Sequence, residues 1–121
     1  AELGQYEEAL NYFFKLDFIE SNCVKAWRGI GWCSFISLKY EQAMKYYEKI
    51  IEQKPLAIDY MNAGHVAWVM GDIQKASVFY GKAITASGNR ERFLEMFHKD
   101  EEALLTQGIR EEDIPLMLDL L

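Results

Sequence analysis

Proline and glycine are scarce, at two and eight residues in a chain of 121. Turn-rich β architectures lean on both, so their scarcity beside abundant Ala, Leu, Glu, Lys and Tyr points to helix. Cysteine is equally sparse. Cys23 and Cys33 are too few for the disulfide framework of a small secreted scaffold, and both are expected to be reduced. No uninterrupted apolar run has the length of a membrane-spanning helix. Nor is a signal peptide expected, because Ala1, Glu2, Leu3 and Gly4 open the sequence without a basic stretch followed by an apolar one. A cytoplasmic location is the resulting expectation.

Positive charge is in deficit. Thirteen basic and nineteen acidic side chains leave a net charge of −6, which repels phosphate backbones and anionic lipid, so neither nucleic acid nor a membrane is an expected partner. The deficit is local: residues 1–99 balance at twelve of each sign, and residues 100–121 set seven acids against Arg110 alone. Asp100, Glu101, Glu102, Glu111, Glu112 and Asp113 could receive a basic partner, although a charge run is more often a solvated face. What is present is globular in character: half the residues are apolar and a quarter charged, in a length that suits one compact domain.

Self-comparison shows a repeat. Shifted by 34, Tyr6, Glu7, Ala9, Tyr12 and Lys15 fall on Tyr40, Glu41, Ala43, Tyr46 and Lys49. Shifted by a further 33, Gly31 falls on Gly64, Trp27 on Tyr60, Ala43 on Ala76, Tyr47 on Tyr80 and Lys49 on Lys82. Periods of 20–50 residues mark solenoids and arrays. Within a block, Trp27, Ile30, Gly31 and Ser34, then Ala43, Met44, Tyr47, Ile50 and Ile51, follow helical spacing, which predicts two helices with one apolar stripe each. The small residues Gly31, Gly64, Ala43 and Ala76 let the paired helices approach closely. Gly71-Asp72 makes the turn in the third block, Pro55 closes the second and Ser87-Gly88-Asn89 the third. Glu41, Lys45 and Lys49 read as decoration of an exposed helix face.

The motif Trp27, Ile30, Gly31, Tyr40, Ala43, Tyr47, Pro55 resembles the tetratricopeptide repeat, and Tyr60, Gly64, Gly71, Ala76, Tyr80 and Ala83 continue it with Ile73 in place of the turn tyrosine. The resemblance spans residues 3–87. It implies an all-α right-handed solenoid of helix-turn-helix units: a partial repeat over 1–23 with its second helix only, repeats over 24–56 and 57–88, and a divergent capping helix pair over 89–121. In the cap, one helix is expected over 91–107 and a last one from Asp113-Ile114-Pro115. A block opening at its turn suggests an excerpt from a longer array, and with the neighbouring repeat's face uncovered the 6–19 helix is expected to pack against another chain through Tyr12, Phe13, Phe14 and Leu16.

Chemistry has few candidates. His65 and His98 lie within helices, no Ser–His or Cys–His arrangement accompanies them, and Cys23, Cys33 and two distant histidines lack metal-ligand spacing. No catalysis, cofactor or metal site is expected. Gly29-Ile30-Gly31 lacks the third glycine and the preceding strand of a phosphate loop. The resemblance implies instead a concave groove lined by the first helix of each repeat, binding a peptide or protein segment. Carried over by position, it holds Lys25, Arg28, Trp32 and Phe35 from one block and Ile58, Met61, Asn62, His65 and Trp68 from the next. The same aromatics could instead pack between repeats. A carboxylate clamp is not expected: Arg28 and Asn62 suit two of its roles, but Trp32 stands where an asparagine belongs and no third helix supplies the remaining bases. Two alternatives stay open, a regulatory or sensor segment of a larger enzyme or transcription factor, and a small-molecule pocket among Trp32, Met61, His65 and Trp68.

Overall fold

The computed structural model describes residues 2–121, with side chains from residue 4 onward. Its elements, among the described residues, are all helices: α1 (Glu2–Ile19), α2 (Val24–Ile36), α3 (Tyr40–Ile51), α4 (Ala57–Val69), α5 (Ile73–Ser87), α6 (Arg90–Lys99), α7 (Glu101–Thr106) and α8 (Asp113–Asp119). They form two compact units divided between Lys54 and Pro55, α1–α3 in the first and α4–α8 in the second.

The helix ends are chemically marked. Asp72 caps α5 by accepting from the Lys75 amide at 3.0 Å, and Asn89 caps α6 by accepting from the Arg92 amide at 2.8 Å. At the start of α4 the Asp59 carboxylate reaches back to the Leu56 amide at 2.8 Å. Gly71 and Gly88 turn the chain at φ +91° and +92°, where a side chain would be strained. The equivalent turn in the first unit uses Leu38 at φ +66°, one repeat before Gly71. A left-handed leucine costs about 1–2 kcal/mol, and the tight turn between α2 and α3 holds it there.

In the first unit α2 packs between α1 and α3. As residue numbers rise along α2 they fall along α3: Trp27 meets Lys49, Gly31 the Tyr47 ring and Ser34 the Gln42 amide, so the two helices run antiparallel. The same reversal relates α1 to α2, where the Phe13 ring lies over Gly29 and the Asp17 carboxylate accepts from the Trp27 indole at 2.8 Å. One expectation fails. Lys49 is no surface decoration: its ammonium lies 4.4 Å from the Trp27 ring centroid and 4.8 Å from that of Tyr46. Its stem covers aromatic surface that the stripe pattern leaves uncounted.

In the second unit α4 and α5 repeat this pairing, with Gly64 against the Tyr80 ring. Close approach therefore works through glycine and a tyrosine ring on the opposite helix, and Ala43 and Ala76 are fully buried beside it. The C-terminal part differs from the expected pair of helices. The predicted 91–107 helix breaks at Asp100, where the amide bonds to the Phe97 carbonyl at 2.9 Å in a tighter turn, and α7 restarts at Glu101. With α8 this makes three helices. Phe93, Phe97, Leu104, Ile114 and Met117 turn inward from them.

Candidate functional site

The first-helix positions fare differently in the two units. On α2, Lys25 is exposed, and Arg28 and Trp32 are half-buried. Phe35, expected in the groove, is 1% exposed and belongs to the core, with ring centroids 5.5 Å from Trp32 and 6.0 Å from Tyr40. Trp32 thus rests on a buried aromatic while part of its indole meets solvent. That is the form of a rigid anchor on a helix face.

On α4, Ile58 is exposed and Asn62 half-buried, but Met61, His65 and Trp68 are buried. The expectation that these three line an open surface is corrected. Aromatic packing within the unit explains His65 and Trp68. Tyr80 of α5 sits edge-on to both, and Phe97 of α6 lies 5.5 Å from the His65 ring. A small-molecule pocket through Met61 and His65 has no room, as each is at most 1% exposed. Asn62 keeps one open valence: its Oδ1 is buried and without a hydrogen-bond partner.

Both nitrogens of His65 are engaged. Nδ1 lies 2.7 Å from the Tyr80 hydroxyl and Nε2 lies 3.0 Å from the Asp100 carboxylate. A carboxylate only accepts, so Nε2–H donates to Asp100, and in the neutral imidazole Nδ1 then accepts from the Tyr80 O–H. Asp100, His65 and Tyr80 share the connectivity of a carboxylate–base–nucleophile relay, yet the chemistry runs the other way. Burial, and then the Asp100 charge, push the Tyr80 hydroxyl well above its ordinary value, and an activated nucleophile needs the reverse. The trio is a satisfied polar network inside an aromatic core. Burial likewise raises the Cys33 thiol and keeps it protonated. Among the described residues no three potential ligands converge on a metal position, and no helix is long and apolar enough to cross a membrane.

On α1, Tyr12 is 60% exposed, while Phe13 packs on Gly29 and Phe14 stacks edge-on to Tyr46 at 6.0 Å. Of the four contacts expected to meet another chain, two are thereby committed within the unit, and Leu16 is half-buried. Phe18 and Ile19, which the repeat pattern does not single out, are the most exposed apolar side chains among the described residues of that helix.

Residues that the repeat pattern missed include Asp17, which holds the Trp27 indole, and Asp100, which holds His65. Neither stands at a repeat position.

Comparison with known proteins agrees with the geometry. The sequence model of the tetratricopeptide repeat matches residues 25–55 and 60–90, together half of the chain. The tetratricopeptide repeat-containing protein trd-1 of Caenorhabditis elegans is 25% identical over 85 residues, covering 69% of this chain. The chain spans 11% of that relative's length.

Proposed function

Since this chain belongs to the tetratricopeptide repeat family, whose repeats generally mediate protein–protein interaction, we propose that it is a non-catalytic module that holds a peptide or protein segment against the first helix of its repeats. Trp32 carries this reading: a large aromatic, backed by the buried Phe35, remains partly open on α2 with Lys25 exposed about two turns away. A rigid ring with little rotamer freedom to lose is an efficient anchor. In the second unit the α4 positions left to a partner are the exposed Ile58 and the half-buried Asn62. The segment this face suits is apolar and aromatic in character, without a terminal carboxylate requirement.

A peptide array supplies ligands for the test. Because Trp32 is half-exposed, Trp32→Ala should leave helical circular dichroism close to that of the wild type, while a central aromatic anchor is worth about 2 kcal/mol, or about 30-fold in Kd, by titration. Wild-type affinity in Trp32→Ala would contradict the assignment.

A further inference from the structure

A cavity of about 470 Å³ opens in the second unit between Trp68 at the end of α4, Ile73 at the start of α5, and Leu116 and Leu120 on and just past α8. Three of these stay largely uncovered, at 53% for Ile73, 62% for Leu116 and 63% for Leu120. Single exposed leucines are ordinary, whereas three apolar side chains around one cavity of ligand-accepting size mark an interaction surface. The charged groups lining it are all of one sign, the carboxylates of Asp113 and Asp119. Neither has an ion-pair or hydrogen-bond partner among the described residues.

The cations nearby are already engaged. Arg110 pairs with Glu112, and Arg90 reaches α8 only to donate to the Leu118 carbonyl at 2.9 Å. Residues 100–121 carry seven acids against Arg110 alone, a balance that favours a cationic partner at Asp113 and Asp119.

We propose that this cavity docks a segment of a partner protein that inserts one or two bulky apolar side chains and brings lysine or arginine to Asp113 and Asp119. Complementary charge selects such an occupant and steers its approach. A second copy of this chain is disfavoured, since a symmetric α8 contact would set each pair of carboxylates against its twin. The uncovered leucines extend the apolar surface past the cavity mouth, which suits a protein segment rather than a compact small molecule. This surface is independent of the α2 face proposed above.

The test uses the whole chain and two labelled peptides, one with leucine and lysine at helical spacing and one with glutamate in place of every lysine. Fluorescence anisotropy should show binding of the lysine peptide alone, weakening as salt rises. The double variant Asp113→Asn, Asp119→Asn should weaken it by about five- to tenfold, and Leu116→Ser, Leu120→Ser by about tenfold or more. Both leucines are exposed, so Ile114 and Met117 remain to hold α8 in place. The control Glu8→Gln, Glu41→Gln removes the same charge from exposed sites of the first unit and should change nothing. In the complex, the Trp68 indole resonance should move while that of Trp27, bound to Asp17, stays. Equal affinity for the glutamate peptide, or equal weakening in the control variant, would overturn the proposal. So would self-association of the wild type that the leucine variant abolishes, which would assign the surface to a second copy.

Discussion

Replacing Tyr80 with alanine should cost the second unit about 3–5 kcal/mol, the range for emptying a buried aromatic site. Tyr80 is fully buried, and its ring is edge-on to His65, Trp68, Phe93 and Phe97 at centroid distances of 5.4–6.3 Å. Four residues from two other helices therefore lose a shared neighbour. Loss of the hydroxyl also strips His65 Nδ1 of its partner, worth about 1–3 kcal/mol unless water enters the cavity. Domains have about 5–15 kcal/mol in total, so the melting transition should fall by about 12 °C or more. Tyr80→Phe separates the two contributions: it keeps the ring and should lose only the smaller amount. Thermal melts followed by circular dichroism read both. A Tyr80→Ala melt within a few degrees of the wild type would mean that the ring is not the centre of this core.

Glycine to alanine should act in opposite directions at two sites of the second unit. At Gly64 an added methyl would sit 2.6 Å from the Tyr80 ring, and that ring is tied by its hydrogen bond and its aromatic neighbours. Overpacking costs about 1–3 kcal/mol, against a helix-propensity gain of about 1 kcal/mol, and with the Tyr80 ring held in place Gly64→Ala should be net destabilising by up to about 2 kcal/mol. At Gly81 the same methyl meets nothing within 4 Å. There the propensity gain stands alone, and Gly81→Ala should stabilise by about 0.5–1 kcal/mol. Denaturant midpoints at equal m-value decide it. A stabilising shift at Gly64 as well as at Gly81 would contradict the close approach of α4 to α5.

The close approach of paired helices at Gly31 and Gly64 is legible before any coordinates, because small residues recur there one repeat apart, and the structure adds that a tyrosine ring, Tyr47 or Tyr80, fills the space opposite each. A helical hairpin with a short turn brings fixed offsets together, so repeated residue types at a repeated spacing reveal local packing. The apolar stripes of α2 and α3 were readable for the same reason. Periodicity tells which residues share a face but not what lies on that face. Phe93 and Phe97 could be placed on a helix by their spacing, yet nothing in their pattern shows that Phe97 meets His65. Met61, His65 and Trp68 were consequently read as a surface. Asp100 is the same problem at longer range: its partner lies 35 residues away, and an aspartate among acids looks like solvated charge until the fold brings His65 beside it. Of the positions expected on an open face, Lys25, Arg28 and Trp32 of α2 are exposed or half-buried, whereas Phe35 and, on α4, Met61, His65 and Trp68 are buried.

The two histidines give the most direct test of where the interaction face lies. His98 is 55% exposed and His65 is 0% exposed, locked between Tyr80 and Asp100. Diethyl pyrocarbonate, with the labelled sites read by peptide mass, should modify His98 in the folded chain and reach His65 only as the second unit unfolds. Labelling of His65 at the rate of His98 in the folded protein would show that this side of α4 is open, and would move the proposed binding surface from Trp32 of α2 to Met61, His65 and Trp68.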